Sequence, residues 1–331
     1  MLTLGIEGTA HTVGVGIVDN DGRILSNEIE MYRPPQGGVH PRKAANHHAE
    51  RVAPVIRKAL DAANLSVRDI ELVAFSRGPG LGPCLRTVAT AARALSISLG
   101  IPLMGVNHCI AHLEIGIANT GCSDPVLLYA SGGNTQVIAL AEGRYRIFGE
   151  TLDIGIGNMF DKLGRKLGLG YYAGPIIERL AGETDVYHEL PYSVKGMDVS
   201  FSGIMTAALA LQEKGVSLPE ICNSVQETCF AMLMEVAERA MAHIGKNELL
   251  LGGGVVQNKR LQRMAAVMTE ERGARSYVPE PKLCADNGAM IALTGKLMYE
   301  AGIRMSVEES IVDQRFRTDE VEVTWRRAAH R

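Results

Sequence analysis

The feature that most constrains this chain is a strand-turn-strand-turn-strand pattern that occurs twice. Residues 2–6 read as an apolar strand, Gly8-Thr9-Ala10-His11-Thr12 as a glycine-containing turn and residues 13–18 as a second strand, which Asp19-Asn20-Asp21-Gly22 turns into a third at 23–28. The same order returns as 126–129, Ser131-Gly132-Gly133-Asn134, 135–140, Glu142-Gly143 and 144–148. Agreement in order and length points to an internal duplication. Helical periodicity and further strands follow each triplet. After the first come helices at 46–63 and 86–99 and strands near 72–75 and 103–106. After the second come helices near 158–167, 175–180, 202–212 and 219–243, then a strand at 248–251. Such alternation predicts an α/β protein of two similar domains, and 331 residues suffice for both. The cleft between them is the expected ligand site.

Charge and cysteine content exclude several classes of function. Thirty-four basic residues stand against 37 acidic ones, a formal charge of −3, so nothing pulls the whole chain toward nucleic acid or an anionic membrane. Any RNA contact needs a local patch or a partner. Six cysteines with no Cys-x-x-Cys pair read as reduced thiols in a cytoplasm. The N-terminus lacks a basic region and carries Glu7 in its apolar stretch, so it reads as a strand and not a signal peptide. No apolar run reaches the 18 residues that suggest a membrane span.

The chemistry-bearing motif is Val106-Asn107-His108-Cys109-Ile110-Ala111-His112. Two imidazoles four residues apart lie on one face of a helix and can share a cation. A plainer reading makes Asn107 an N-cap and the histidines polar positions of an amphipathic helix. Three glycine-rich loops, at 5–12, 131–135 and 252–258, would let backbone amides approach phosphate. In the third, a strand runs into the loop and a helix follows from Asn258, which suggests donors at a helix N-terminus.

These loops, with hairpins after the first two, resemble the actin, hexokinase and Hsp70 superfamily of nucleotide-cleft proteins. A closer resemblance is carried by Gly5-Ile6-Glu7-Gly8-Thr9-Ala10-His11-Thr12, Gly37-Gly38-Val39-His40-Pro41, Gly78-Pro79-Gly80-Leu81-Gly82, the histidine motif and Tyr129-Ala130-Ser131-Gly132-Gly133-Asn134-Thr135. Asp198-Val199-Ser200-Phe201-Ser202-Gly203 and Cys284-Ala285-Asp286-Asn287-Gly288-Ala289-Met290 complete it. Together they resemble the tRNA N6-adenosine threonylcarbamoyltransferase family along essentially the whole chain. The start and the ending Phe316-Arg317-Thr318-Asp319-Glu320-Val321-Glu322-Val323-Thr324-Trp325 are similar to its archaeal and eukaryotic branch, the catalytic subunit of the KEOPS complex.

The resemblance implies duplicated actin/hexokinase/Hsp70-like (ribonuclease H-like) domains with a central nucleotide cleft. It implies transfer of threonylcarbamoyl from threonylcarbamoyl-adenylate to N6 of the adenosine 3′ of the anticodon, in tRNAs reading codons that begin with A, with release of AMP. One divalent metal ion per subunit would be held by His108, His112 and Asp286, with Tyr129 at or near it. The family suggests iron, and the donor types admit zinc or manganese. Adenine nucleotide would meet Tyr129, Ala130, Ser131, Gly132 and Gly133 at its charged linkage, and Asp161, Gly174, Glu178 and Asn258 at its nucleoside end. Without the resemblance, Asp161 pairing with Arg165 and Glu178 on a helix surface are the plainer readings. Implied partners are tRNA and the small kinase-like, small dimerising and regulatory KEOPS subunits, with no membrane. Transfer by the isolated chain is expected to be weak.

The expected layout is a first lobe at 1–105, a metal-ligand helix and crossover at 106–124, and a second lobe at 125–300 with a helical insertion about 155–220. A segment at 301–331 would return to the first lobe and end in the basic tail 326–331. His40, His47 and His48 could form a second metal site but read better as a solvated helix start. Arg33, Arg42, Lys43, Arg51, Arg77 and Arg86 are candidate phosphate contacts or ordinary surface. Cys222, Cys229 and Met232-Leu233-Met234 read as core.

Three other functions fit parts of the pattern. A phosphotransferase or ATP-driven chaperone fits the loops, but the first loop has Glu7 where that superfamily usually has aspartate, and a sugar kinase has no use for the histidine pair. A metallopeptidase fits two helical histidines, but Cys109 stands where the general-base glutamate belongs. A purely scaffolding subunit is the third.

Overall fold

The first triplet folds as β1 (Thr3–Glu7), β2 (Thr12–Val18) and β3 (Ile24–Met31), joined as antiparallel neighbours. β1 and β2 are buried along their whole length, as strands of a sheet covered on both faces are, and most of their residues are accordingly apolar or glycine. The computed structural model describes residues 1–34 and 38–326; Gly37 of the glycine pair and the tail 327–331 lie outside the described residues. α1 (Pro41–Ala63), β4 (Leu72–Gly78), α2 (Gly82–Leu99), β5 (Leu103–Asn107) and α3 (His108–Thr120) follow. α1 and α2 begin several residues before their apolar periodicity does. Pro41 and Pro83 sit in their first turns, where a missing N–H has no helical partner to lose.

The second triplet is β6 (Val126–Ala130), β7 (Thr135–Ala141) and β8 (Arg144–Glu150). Next come α4 (Ile156–Lys166), α5 (Ala173–Ala181), the two-residue strands β9 (Val194–Lys195) and β10 (Asp198–Val199), α6 (Ser202–Glu213) and α7 (Leu218–Ile244). The rest is β11 (Glu248–Gly252), α8 (Lys259–Glu271), β12 (Arg275–Tyr277), α9 (Pro281–Cys284) and α10 (Gly288–Glu300). The first sheet runs β3-β2-β1-β4-β5 and the second β12-β11-β6-β7-β8, the same order read from the other edge. In both, the triplet is extended by two parallel strands that arrive after helices. The duplicated fold is thus visible in topology as well as in sequence.

The described residues divide into two units: those within 1–115, 141–145 and 286–326 form the first, and 116–140 with 146–285 the second. Residues 286–300 therefore join the first unit and not the second lobe, a difference from the sequence layout that glycine explains. α10 lies against β1 and β2 at Gly5 and Gly16, and a Cβ on Gly16 would come 2.2 Å from the Ala289 nitrogen. Only side-chain-free backbone on the strands lets the helix seat this closely. In the second unit α7 is the central core helix. Cys222, Cys229, Met232 and Leu233 are fully buried there, as the sequence reading has them. All six cysteines are buried, and none is in a disulfide.

Candidate metal centre and glycine loops

β5 ends at Asn107, whose Oδ1 accepts from the backbone amides of Cys109 at 3.0 Å and Ile110 at 3.2 Å. The N-cap reading of Asn107 is therefore correct, and it is also what starts α3 with His108 in its first turn. One turn on, the His112 ring lies 4.8 Å from that of His108, edge to face. Asp286 comes from the residue pair before α10, and Asn287 caps that helix by accepting from the Met290 amide. Asp286 Oδ1 is 3.3 Å from His112 Nε2 and 3.5 Å from His108 Nε2. One donor atom from each residue lies within 4.8 Å of the others, and both imidazoles are buried. Two imidazole nitrogens and a carboxylate oxygen converging this closely fit a divalent transition metal and do not choose among iron, zinc and manganese.

The same proximity couples the charges of these groups. Burial works against charge on His108, yet the Glu7 and Asp286 carboxylates outweigh it and lift its pKa to about 9. Burial dominates at His112 and holds its pKa below the ordinary value. Asp286 feels the upward push of burial too, but the two imidazoles keep it well below the usual carboxylate range. Cys109, between the histidines, has its thiol pushed by burial up to about 12, so it offers neither thiolate nor general base.

The sequence reading missed Glu7 as a site residue. It is fully buried at the end of β1, and its Oε2 lies 3.1 Å from His108 Nδ1. Its Oε1 accepts from the Thr9 amide at 2.8 Å and the Thr9 hydroxyl at 2.6 Å. The loop is fixed in turn by the Gly8 amide donating to Ser76 Oγ and by the Thr9 carbonyl accepting from the Leu81 amide. An acid closing an otherwise apolar strand was the available signal. Glu114 was missed as well: it is almost fully buried on α3 and accepts from the Tyr145 hydroxyl, Trp325 Nε1 and the Arg326 guanidinium.

The second and third glycine loops belong to the second unit. Tyr129 and Ala130 are buried at the end of β6. The Ser131 amide donates to the Asn134 carbonyl at 2.8 Å, so it closes the turn and is not left for a ligand. Gly132 and Gly133 are exposed, and the Ser131 and Gly132 carbonyls accept from the first amides of α4. The third loop differs from the expected open helix N-terminus. A 3-10 turn, Gly254–Gln257, intervenes, and Asn258 Oδ1 itself accepts from the Arg260 and Leu261 amides. Glu178 Oε1 takes the Lys259 amide at 2.7 Å, so these N-terminal donors are already satisfied.

The four expected nucleoside residues nevertheless lie at or beside two neighbouring hydrogen bonds that tie α4 to α5 and α5 to α8. Asp161 accepts from the Ala173 amide beside Gly174, and Glu178 follows on the same α5 and reaches Lys259 next to Asn258. A Cβ on Gly174 would meet nothing within 4 Å, so its backbone faces open space. Arg165, the alternative partner of Asp161, has its guanidinium 5.6 Å from the Tyr171 ring centre.

Other expectations change. His48 is fully buried, not part of a solvated helix start, because α1 begins at Pro41 and turns this face toward the first loop; His40 is exposed. A Cβ on Gly8 would lie 3.3 Å from the His48 ring. Among the described residues, His108, His112 and Asp286 are the one group of three with metal-ligand spacing. Arg77 donates to the Ile311 carbonyl at 2.9 Å and stacks on Phe316, a structural task, whereas Arg33, Arg42, Lys43, Arg51 and Arg86 are exposed.

Residues 23–293 match the family model described as tRNA N6-adenosine threonylcarbamoyltransferase. The chain belongs to this family. A family member from Thermococcus sibiricus, named tRNA N6-adenosine threonylcarbamoyltransferase, is 56% identical over 98% of this chain and 100% of its own length. A relative from Methanosphaera stadtmanae, named a probable bifunctional tRNA threonylcarbamoyladenosine biosynthesis protein, is also 56% identical over 98% of this chain, but this chain spans only 61% of it. Among solved structures, HypF from T. kodakarensis aligns with a TM-score of 0.66 at 14% identity, covering 94% of this chain and 49% of that one. The activator of 2-hydroxyisocaproyl-CoA dehydratase from Clostridium difficile, with bound ADPNP, aligns at 0.55 and 13% identity over 92% of this chain and 100% of its own length. These likenesses place the fold in the actin-like class.

Proposed function

We propose that this chain transfers the threonylcarbamoyl group of threonylcarbamoyl-adenylate to N6 of the adenosine 3′ of the anticodon in tRNAs reading codons that begin with A. It would do so in the cytoplasm as the catalytic subunit of a KEOPS complex. The observation that carries the reading is the buried meeting of His108, His112 and Asp286 in a chain that matches the family from 23 to 293. In the reaction the N6 nitrogen bonds to the carbamoyl carbon and gives up one of its two protons, the bond from that carbon to the phosphate oxygen breaks, and AMP leaves.

His108, His112 and Asp286 would hold one divalent cation, with the phenol of Tyr129 assigned to it by family resemblance. A cation bound there supplies Lewis acidity toward carbonyl or phosphoryl oxygen. The chain's own groups bind and orient. The Gly132 and Gly133 amides suit the charged linkage of the adenylate, and the Asp161 and Glu178 carboxylates suit ribose hydroxyls as acceptors. Asn258 then acts mainly through structure, holding α8 and donating to Gln226 at 2.8 Å.

Partners are part of the proposal: tRNA, and the small kinase-like, small dimerising and regulatory subunits. Relatives named bifunctional that run beyond the matched segment support a second activity working beside this one. No helix among the described residues is long and apolar enough to cross a membrane. The test incubates the chain, with and without those partners, with the adenylate and unmodified tRNA, and scores modified nucleoside, free phosphate and peptide cleavage. Modified nucleoside that disappears with His108→Ala supports the reading; phosphate release or proteolysis in its place overturns it.

A further inference from the structure

The geometry points to Glu7 as a positioning residue that fixes the tautomer of His108, with Thr9 as the lock that makes Glu7 unable to be replaced by its amide. The inference rests on the metal reading above and concerns residues that the family resemblance did not assign.

Imidazole binds a cation through a ring nitrogen that carries no proton, so the other nitrogen must carry it. In this site Nε2 of His108 faces Asp286, at 3.5 Å, and Nδ1 faces Glu7 Oε2, at 3.1 Å. Glu7 accepts and cannot donate when ionised, so it demands a proton on Nδ1 and frees Nε2 for the cation. Its other oxygen is equally constrained. Oε1 accepts from both the amide and the hydroxyl of Thr9. Both partners are buried, and Thr9 is tied to Leu81 through its own carbonyl. The carboxylate therefore has one end for the loop and one for the histidine.

Glutamine at this position keeps the shape and reverses the instruction. Its oxygen must stay on the two Thr9 donors, since turning it away would set an NH2 group against an N–H and a hydroxyl. Its NH2 then points at Nδ1 and pushes that nitrogen toward the acceptor role, against the Thr9 hydroxyl oxygen 3.5 Å away, which accepts from Nδ1 in the wild type. The proton moves to Nε2, the atom the cation needs. Alanine does less harm, because the space it leaves admits water that can still accept from Nδ1. The expected order of cation affinity is wild type, then Glu7→Ala, then Glu7→Gln. A role in packing alone predicts the reverse, since glutamine is the better isostere.

The experiment measures zinc(II) affinity of the full chain by chelator competition for wild type, Glu7→Ala and Glu7→Gln, with circular dichroism as a check of folding. The expected losses are roughly 10-fold for alanine and roughly 100-fold for glutamine, the range seen when partners of metal-bound histidines are removed. The wild-type protein supplies a second measurement that does not depend on variants folding. In two-bond 1H–15N spectra of the zinc-loaded chain, His108 should carry its proton on Nδ1 and bind zinc through Nε2. Glutamine binding zinc as well as or better than alanine, zinc on Nδ1, or no zinc binding by wild type would each overturn the inference. The expected order in a protein without transfer activity would uphold it and leave the proposed reaction as the part that failed.

Discussion

At the scale of single residues, this site depends on buried polar groups whose partners are fixed by backbone. The sequence shows His108 and His112 through their spacing, and Asp286 only through family resemblance, because nothing in the local order of residues says that positions 108 and 286 meet. Glu7 was legible as an oddity and not as a function, since its meaning lies in a contact across 101 positions. His48 shows a different limit: its residue type reads as solvated, although it lies one turn before Val52 on the buried face of α1. Burial and the nearby His47 and His11 lower its pKa from 6.5 to about 4. Between those values the unfolded chain binds a proton that the folded chain does not, so stability rises with pH through that window. The contribution is complete above 6.5, falls as the pH drops toward 4 and levels off below; the gap corresponds to about 3 kcal/mol. Urea unfolding from pH 7 to pH 4 should show this loss, and His48→Leu should flatten it. An unchanged pH slope in that variant would mean that other groups carry the effect.

At the scale of elements, strands and helices of the two triplets were legible because period-2 and period-3.6 patterns are local. The seating of α10 was not, since it depends on glycines in β1 and β2 that look like ordinary strand residues. That seating matters for function because Asp286 lies just ahead of the helix. Gly16→Ala would force the Ala289 backbone away from a contact of 2.2 Å, an overpacking change that costs roughly 1–3 kcal/mol or more. The melting temperature and the zinc(II) affinity of this variant should fall together, while Gly174→Ala, with nothing within 4 Å of the added atom, should leave both unchanged. The C-terminal segment makes a second such link. Trp325 and Arg326 close on Glu114, two residues beyond His112 on α3. Glu114→Ala would leave the Arg326 charge half-enclosed without its partner, a loss of about 3 kcal/mol by analogy with other buried pairs. Trp325 is the one tryptophan of the chain, so its fluorescence reports the change directly: emission should shift to the red in Glu114→Ala. Unshifted emission with unchanged stability would show that the segment is held by other contacts.

At the scale of the molecule, the duplication was the most legible feature, because two sheets of the same strand order require two copies of the same pattern. The loops of the second copy were legible as glycine, but their hydrogen bonding was not: the donors at the start of α8 are already bound by Asn258 and Glu178. Net charge sets a final expectation. With −3 overall, attraction to tRNA must come from a patch, and Arg33, Arg42, Lys43, Arg51 and Arg86 are exposed on the first unit. Each cation that neutralises a phosphate releases about one counterion, so binding should weaken with salt along a line whose slope counts such contacts. If these residues form the contact, replacing Arg42 and Lys43 together by alanine should make the slope of log K against log salt shallower by about 2, with circular dichroism unchanged. Because the net charge is −3, the chain alone should bind tRNA weakly at physiological salt, and adding the partner subunits should steepen the slope beyond what these side chains supply. Tight binding by the isolated chain, or a slope that the double replacement does not alter, would place the tRNA contact elsewhere on the surface.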